Sequence, residues 1–420
     1  ALHELPDQRA MTSTITRFSH TLLEPDDLPD VMARAFAVFA SARPGPVHIE
    51  IPTDVMAERI EWPAPRPVTI RPPRADAAAI AELAELCREA GKPVIIAGGG
   101  ARFCGIGLRN LAERLDAPVV TTVNGRGLLA GHPLEVPASP SLAAVRDLLA
   151  GSDLVLALGT EMGPTDFDMY GDGGFPTLPG LVRIDLDADQ LARGPTARLS
   201  ILSSVENALT DLLAALPAEP RVRDGAARAA TVRKAAEDGL SADYRRAASI
   251  IATIHDALPG AVMVGDSTQL VYAGNLYCKV DRPSGWFNSA TGYGALGYAP
   301  PAAIGAALAA PDRPVVAIVG DGGIQFSLAE LGSAVDAGAP VIFLVWNNDG
   351  YQEIETYMES VGIEPEGVKP SAPDFVSVAR AYGMAAERLA HLDDLGAVAK
   401  RAHETRRPAL IELSGRSIRG

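Results

Sequence analysis

The sequence predicts an α/β protein built on doubly wound parallel sheets, and three observations support this fold class. Apolar runs rich in β-branched residues recur along the chain, as expected for strands that are buried on both faces. Segments of helical length separate these runs, which is the spacing of parallel strand–helix–strand units. The chain has 420 residues with 47% hydrophobic and 21% charged content, enough for two or three globular cores.

Two proline-containing joints divide the chain. The first runs from Trp62 to Arg74, and the second runs from Pro217 to about Asp238 and is predicted to be at most a surface helix, because it has no apolar stripe. The joints define three regions, which are residues 1–60, 75–215 and 240–420. In the first region we expect a helix over Asp30–Ala42 and a strand over Pro46–Ile51, too few elements to enclose a core.

The second and third regions each contain several predicted strands. These are Val94–Ala97, Val119–Val123, Leu154–Gly159 and Leu181–Asp185 in the second region, and Val315–Val319, Val341–Trp346 and Ala409–Leu413 in the third. Gly98, Gly99 and Gly100 follow the first of these strands. They lack the spaced glycine fingerprint of dinucleotide sites, so a tight strand–helix turn is the preferred interpretation.

Composition excludes several classes of function. The net charge of −15 and the pI of about 5.0 disfavour nucleic acid and anionic membranes as partners. No run of 18 apolar residues and no basic, apolar leader appears. Cys87, Cys104 and Cys278 are scattered without metal spacing, so we expect free thiols and a cytoplasmic location.

The most informative stretch places a carboxylate and a carboxamide after two neighbouring strands. Asp321 lies in Gly-Asp-Gly-Gly after the strand Val315–Val319, and Asn348 follows the strand Val341–Trp346. Carboxyl ends of parallel strands meet at one edge of a sheet, where ligands bind. A helix expected over Gln325–Ala337 would direct its positive end towards an anion at that edge.

This pairing suggests a divalent cation with a diphosphate. Magnesium takes about six oxygen ligands and few of them from protein; Asp321, Asn348 and a nearby carbonyl would supply three. Taken separately, Gly-Asp-Gly is also typical of a turn and Asn-Asn of a helix cap. Their combination on neighbouring strands favours the metal–diphosphate interpretation.

The motif resembles the signature of thiamine-diphosphate-dependent enzymes, a GDG followed some two dozen residues later by NN. Gly294–Gly297 followed by Pro301–Ala306 resembles the family's aminopyrimidine-binding stretch, and Gly45–Pro52 resembles the end of its pyrimidine-binding domain. The similarity is to acetolactate-synthase-like enzymes and 2-oxo acid decarboxylases, including those acting on 5-guanidino-2-oxopentanoate.

The resemblance implies thiamine diphosphate and Mg²⁺ as cofactors, and it assigns roles by position. The metal ligands would be Asp321, Asn348 and the carbonyl of Gly350, while Gly322 and Gly323 would donate N–H groups to the diphosphate. The remaining cofactor contacts would be Thr268, Gln269, the carbonyl of Gly294, Leu296 and Tyr351. Leu296 could equally be a core leucine, and Thr268 and Gln269 could be ordinary turn residues. Flavin, which related acetolactate synthases bind, is not expected here.

The resemblance also implies that residues 1–60 are only the C-terminal part of a pyrimidine-binding domain. The family's activating glutamate would precede this part, so we expect turnover to require an additional segment. Regions 75–215 and 240–420 would be the central and the diphosphate-binding domain. Family sites form between subunits, which implies a homodimer or homotetramer.

Two candidate residues bear on the reaction with a 2-oxo acid. His3 could transfer a proton, or it could be a surface residue at the terminus. Glu353 or Glu355 could face a substrate cation such as a guanidinium, although acidic residues are also favoured at a helix N-terminus. We expect decarboxylation to an aldehyde and CO₂. Carboligation to an acetohydroxy acid and a non-catalytic cofactor-binding subunit remain alternatives. His132, in a segment that resembles one in the family, is expected to be structural.

Overall fold

The computed structural model describes residues 5–41, 43–61, 64–167 and 174–415. Within these ranges it contains two six-stranded parallel sheets and one two-stranded parallel sheet, with helices between successive strands. This confirms the predicted α/β class with doubly wound parallel sheets. His3 lies outside the described residues.

The first region forms the small sheet and packs loosely. Its elements are α1 (Gln8–Ser13), β1 (Phe18–Thr21), α2 (Leu28–Ser41), β2 (Val47–Glu50) and α3 (Thr53–Met56). β1, which pairs in parallel with β2, was not predicted because its four half-buried residues show no apolar run. Helix α2 buries Val31 and Ala35 but leaves Phe36 and Phe39 exposed.

The central sheet has the strand order β5-β4-β3-β6-β7-β8. Its elements are α4 (Ala77–Glu89), β3 (Pro93–Ala97), α5 (Gly105–Leu115), β4 (Val119–Thr121), β5 (Glu135–Val136), α6 (Ala143–Ala150), β6 (Leu154–Leu158), α7 (Pro164–Phe167), β7 (Val182–Asp185), α8 (Ala188–Ala192), β8 (Leu199–Leu202) and α9 (Val205–Ala215). The four predicted strands are present. The edge strands β5 and β8 were missed because they have only two and four residues, too few to form a recognisable strand pattern.

The second joint contains a packed helix rather than a purely surface one. Helix α10 (Gly225–Asp238) buries Ala229, Val232 and Ala236 in the core of the central region. The sequence concealed this face because alanines carry little apolar surface, yet their small size lets the helix approach its neighbours closely.

The C-terminal sheet has the strand order β10-β9-β11-β12-β14-β13. Its elements are α11 (Ala242–Ala257), β9 (Val262–Gly265), α12 (Gln269–Leu276), β10 (Trp286–Asn288), α13 (Ala299–Ala309), β11 (Val315–Gly320), α14 (Asp321–Ile324), α15 (Glu330–Asp336), β12 (Val341–Asn347), α16 (Gln352–Ser360), α17 (Phe375–Ala381), β13 (Ala385–Leu389), α18 (Leu395–Glu404) and β14 (Ala409–Ser414).

The prediction of one continuous helix over Gln325–Ala337 is wrong. Helical backbone begins earlier, at Asp321, passes through a 3-10 turn at Gln325–Ser327 and resumes at Glu330. The consequence is that the positive helix end lies directly at Asp321 and its two glycines.

The topology brings the polar ends of β9, β11 and β12 to one edge. The strand order reverses between β9 and β11, which creates a crevice at their carboxyl ends. β11 pairs with β12 in a register that sets Gly320 opposite Trp346. Asp266, Asp321 and Asn348 therefore follow three adjacent strands at the same end of the sheet.

The remaining sequence expectations concern membranes and cysteines. None of the helices in the described parts of the chain combines the length and apolarity needed to cross a bilayer. The three cysteines are free, and burial raises the pKa of Cys87 to about 12 and those of Cys104 and Cys278 to about 11. All three thiols are therefore protonated at neutral pH.

Candidate functional site

Three oxygen-bearing groups converge where β11 and β12 end. One terminal atom of the Asn348 carboxamide lies 3.0 Å from the Gly350 carbonyl oxygen and 3.1 Å from Oδ1 of Asp321. With its amide oxygen at that position, Asn348 faces two further acceptors and no donor. Two arrangements satisfy such a cluster. Either the amide turns over and its NH₂ group donates to both neighbours, or a cation lies among three oxygens.

The spacing fits a magnesium ion. Ligands at about 2.1 Å in an octahedron lie roughly 3.0 Å from one another, which matches the distances from the Asn348 atom to the Gly350 carbonyl oxygen and to Oδ1 of Asp321. Among the described residues no three His, Cys, Asp or Glu side chains form a metal cluster, so this mixed set of one carboxylate, one carboxamide and one carbonyl is the candidate cation site. Oxygen ligands of this kind suit hard divalent cations, of which Mg²⁺ is one, rather than softer metals.

The Gly350 carbonyl is aimed by a backbone conformation that only glycine adopts comfortably. Gly350 has φ of +135°, and a Cβ there would lie 2.4 Å from the carbonyl oxygen of Val368. The Val368 carbonyl also accepts a 2.8 Å hydrogen bond from the N–H of Tyr351. The chain from Asn348 to Tyr351 is thus fixed against a distant segment.

Asp321 is a buried carboxylate that needs a positive neighbour. Its side chain is 1% exposed, and burial raises the pKa of the carboxyl group while the backbone N–H groups of Asn348 and Gly350 oppose that rise. A divalent cation at the three oxygens would favour the ionised form more strongly than these neutral donors do.

The GDG loop, Gly320–Gly323, presents its backbone at the same edge. Gly322 and Gly323 belong to the first turn of α14, whose N–H groups have no intrahelical acceptor. A Cβ at Gly322 would lie 2.5 Å from the ring of Tyr351. The tyrosine therefore covers the loop, and the glycine permits that close approach.

A second glycine-rich segment borders the site. The glycine turn, Gly294–Gly297, has φ of +68° at Gly294 and +80° at Gly297. Leu296 is half-buried and belongs to none of the apolar cores of the described residues, so the alternative of an ordinary core leucine is not supported. A half-buried apolar side chain outside the cores is available to a ligand.

The N-terminus of α12 reaches the same place. Gln269 is its first residue, and Thr268 precedes it in extended backbone without a side-chain cap. A Cβ at Gly320 would lie 3.0 Å from Oγ1 of Thr268, so Thr268 is next to the GDG loop. The structure therefore brings Thr268 to the predicted motif, and Gln269 follows it as the first residue of α12.

Glu353 and Glu355, the two acidic candidates that follow Asn348, differ in their partners. Glu355 forms an ion pair with Lys369 at 2.6 Å and accepts from Gln352 at 3.3 Å. Glu353 is half-buried, and burial raises its pKa, with a further contribution from the like charge of Asp243. Glu353 makes no ion pair or hydrogen bond within the described parts of the chain, so it is the carboxylate open to a ligand.

Several site residues were not predicted from sequence. Asp266 is fully buried beside the glycine turn, where it accepts a 2.8 Å hydrogen bond from the Gly297 N–H. Burial raises the pKa of the Tyr272 hydroxyl, which lies near Ser267 and Glu353. The one available signal was the position of Asp266 after an apolar run, but its partners are remote in sequence.

Two other predicted features have structural explanations. A Cβ at Gly98 would lie 2.4 Å from the Gly159 carbonyl, so this glycine permits two strand ends to touch. His132 bonds Glu113 at 3.1 Å and accepts from the Leu134 N–H at 3.3 Å, which fixes its own loop.

Comparison with known proteins gives the same assignment. Residues 266–413 match the family model described as thiamine pyrophosphate enzyme, C-terminal TPP binding domain, and residues 80–212 match that of the central domain. A protein of Pseudomonas aeruginosa described as "Probable 2-ketoarginine decarboxylase AruI" is 41% identical over 94% of this chain and 71% of its own length. The chain belongs to the thiamine pyrophosphate enzyme family.

Further relatives place it in the part of this family that includes the acetolactate synthases. The acetolactate synthase large subunit of Parasynechococcus marenigrum is 28% identical over 96% of this chain and 68% of its own length. The crystal structure of benzoylformate decarboxylase from Polynucleobacter necessarius superposes with a TM-score of 0.78 at 21% identity, over 95% of this chain and 76% of that one. This likeness shows that the thiamine pyrophosphate enzyme fold is shared. The chain spans about 70% of the length of the two curated relatives.

Proposed function

We propose that the protein decarboxylates 5-guanidino-2-oxopentanoate to 4-guanidinobutanal and CO₂, with thiamine diphosphate and Mg²⁺ as cofactors. The observation that carries the proposal is the convergence of Asp321, Asn348 and Gly350 at 3.0–3.1 Å beside the GDG loop. A cation bound there would lie next to the first backbone N–H groups of α14, which is the kind of arrangement that holds a diphosphate.

Each residue at the edge has a defined task in this proposal. Asp321, Asn348 and the Gly350 carbonyl bind Mg²⁺, and the N–H groups of Gly322 and Gly323 bind the diphosphate. The remaining contacts are assigned to the flanks of the cofactor: Thr268, Gln269, the Gly294 carbonyl, Leu296 and Tyr351. Bound thiamine diphosphate supplies the electron sink that decarboxylation of a 2-oxo acid requires.

The charge arrangement supports a cationic substrate. Glu353 and Asp243 repel each other, and Glu353 has no positive partner among the described residues, whereas Glu355 is already neutralised by Lys369. A guanidinium near Glu353 would relieve that repulsion and form charge-assisted hydrogen bonds. We therefore assign substrate recognition to Glu353. His3 is proposed to transfer a proton on the resemblance alone.

The proposal extends to organisation. Residues 1–60 are assigned to the C-terminal part of a pyrimidine-binding domain, 75–215 to the central domain and 240–420 to the diphosphate-binding domain. Homodimers or homotetramers are proposed, and the exposed Phe36 and Phe39 of α2 are available for a subunit contact. The location is proposed to be cytoplasmic, and no flavin is required. Light scattering tests the assembly, and the absorbance of the purified protein near 450 nm tests for flavin.

Cofactor binding and product analysis test the function. Calorimetry should show thiamine diphosphate binding that depends on Mg²⁺ and disappears with EDTA. Turnover of 5-guanidino-2-oxopentanoate is then followed by CO₂ release and mass spectrometry of the aldehyde. The chain is assayed alone and with a pyrimidine-binding segment joined before residue 1, because such a segment is expected to carry the activating glutamate.

The outcomes separate the alternatives. Aldehyde and CO₂ from the guanidino substrate support the proposal. Acetolactate from pyruvate would establish carboligation instead. Cofactor binding without turnover in either form of the chain would favour a non-catalytic subunit, and absence of any binding would overturn the cofactor assignment itself.

A further inference from the structure

We propose that Asp266 is a positioning residue that holds the glycine turn in the form that receives the aminopyrimidine ring. This inference rests on the proposed function, because it concerns the same cofactor. Asp266 directly follows β9 at the edge where the strand order reverses, and its side chain is fully buried.

The carboxylate joins three segments of the chain. Oδ1 accepts from the N–H of Ser267 at 2.9 Å and from the hydroxyl of Ser289 at 3.5 Å. Oδ2 accepts a 2.8 Å hydrogen bond from the N–H of Gly297. One side chain thus ties the end of β9 to the segment after β10 and to the glycine turn.

The glycine turn requires such hydrogen bonds to keep one conformation. Gly294 and Gly297 both have positive φ, and glycine loses more backbone freedom on ordering than any other residue. A Cβ at Gly297 would lie 2.8 Å from Cβ of Phe326, so no larger residue could stiffen the turn. The ends of the turn are instead fixed by hydrogen bonds, from Gly297 to Asp266 and from the Gly294 N–H to the Ser289 carbonyl at 3.0 Å.

The residues next to Ser289 are held by buried hydrogen bonds. The neighbouring Asn288 donates to the side chain of Asn275 at 2.8 Å, and Trp286 donates to the same oxygen at 2.9 Å. The backbone carbonyl of Asn275 accepts from the buried Arg126 of the central region, also at 2.8 Å. The segment that carries Ser289 is therefore fixed by buried hydrogen bonds that extend to Arg126 of the central region.

Asp266 also borders the GDG loop. A Cβ at Gly323 would lie 2.9 Å from Oδ2, so this oxygen lies between the glycine turn and the diphosphate-binding backbone. Within the described residues Asp266 forms no ion pair, and its donors are neutral N–H and O–H groups. Keeping an unpaired anion buried opposes stability, which is expected where a site requires a particular acceptor.

The Asp266→Asn substitution tests this role with little change of volume. The amide has one acceptor oxygen instead of two, so it cannot bind both the Ser267 and the Gly297 N–H groups. We expect the affinity for thiamine diphosphate with Mg²⁺ to fall about 10- to 100-fold. The affinity for inorganic diphosphate with Mg²⁺ should change by less than about threefold, because the GDG loop keeps its shape and its own N–H groups.

A matched control is Asp153→Asn. Asp153 also accepts two backbone N–H groups, from Gly91 at 2.6 Å and Lys92 at 2.8 Å, but it lies in the central region. This variant should melt at a lower temperature and bind both ligands as the parent does. Equal weakening of both ligands by Asp266→Asn, or no weakening of either, would overturn the positioning role.

If Asp266→Asn does not fold by circular dichroism, Ser289→Ala decides the question. It removes only the hydroxyl that donates to Oδ1 and should weaken thiamine diphosphate about threefold without affecting inorganic diphosphate. Parallel effects on both ligands would again contradict the inference. If the parent chain binds neither ligand, the proposed function fails, and that result is distinct from failure of the Asp266 role.

Discussion

The central and the C-terminal sheets have the same architecture but different carboxyl edges. Each has six parallel strands with a reversal of strand order inside the sheet, between β3 and β6 in the central sheet and between β9 and β11 in the C-terminal one. The C-terminal sheet differs in that its last strand, β14, lies between β12 and the edge strand β13. In the central sheet the backbone segments after β3 and β6 pack directly against each other at the reversal. A Cβ at Gly98 or at Gly100 would lie within 2.8 Å of Gly159. In the C-terminal sheet the reversal bears Asp266 and, beside it, Asp321.

This difference shows that a doubly wound sheet provides a crevice but not a function. Tight glycine packing removes the crevice in one sheet, while in the other polar groups lie at the crevice and the turn with the half-buried Leu296 is joined to it through Asp266. Function is carried by the residues at the strand ends, as expected when one fold supports many activities. The predictions below test whether the two edges differ as the geometry indicates.

The largest expected effect comes from removing the carboxylate of the metal site. Asp321→Ala should weaken thiamine diphosphate and Mg²⁺ binding at least about 100-fold, roughly 3 kcal/mol, because a charged ligand is lost. Asp185→Ala is the control, since Asp185 ends β7 of the central sheet. Calorimetry measures both, and unchanged binding by Asp321→Ala would show that the two edges do not differ in this way.

The second prediction is that Glu353 recognises the positive charge of the substrate. Glu353→Gln should lower kcat/KM for 5-guanidino-2-oxopentanoate about 10- to 100-fold, because a guanidinium would lose its charge-assisted partner. Turnover of 2-oxohexanoate, whose side chain carries no charge, should be unchanged. Glu355→Gln, whose parent residue is paired with Lys369, should have a small effect on either substrate. A greater loss with Glu355→Gln would reverse the assignment.

Two glycine substitutions should separate packing from ligand binding. Gly98→Ala forces a Cβ to 2.4 Å from the Gly159 carbonyl and should cost about 1 to 3 kcal/mol of stability without changing cofactor affinity. Gly322→Ala places a Cβ 2.5 Å from the Tyr351 ring, so it should weaken cofactor binding. Urea unfolding and calorimetry are measured on both variants. Cofactor loss in Gly98→Ala would indicate that the central edge also binds ligand.

The smallest expected effect is the pH dependence of the central region. Burial raises the pKa of Glu135 from its ordinary 4.5 to about 7, so the folded state binds more protons than the unfolded state between these values. Its contribution to stability therefore falls as pH rises from about 4.5 to about 7.

Glu135→Gln removes this proton linkage. The free energy of unfolding of the parent should fall between pH 5 and pH 8 through this linkage. In Glu135→Gln that fall should be smaller by about 1 to 2 kcal/mol. The exposed Glu82→Gln is the control and should leave the profile unchanged. Urea unfolding at the two pH values checks this, and identical profiles for Glu135→Gln and the parent would mean that Glu135 does not titrate as described.

Sequence reasoning was most effective where structure is local. The long apolar strands β11 and β12 were found because a strand buried on both faces has a continuous β-branched pattern. Short or half-buried strands such as β1 and β8 were missed, because their pairing partners rather than their own residues determine them. The face of α10 was missed for the same reason, since burial of alanines depends on the surface that they meet.

The sequence by itself determined the α/β class, the pairing of Asp321 with Asn348 and the resemblance that names the cofactor. These follow from local patterns, since parallel strands of known length must deliver their ends to one edge. Only the tertiary structure decided that Glu355 rather than Glu353 is paired with Lys369, and that Asp266 accepts a hydrogen bond from the glycine turn. Each of these depends on contacts between segments far apart in the chain, which no local pattern encodes.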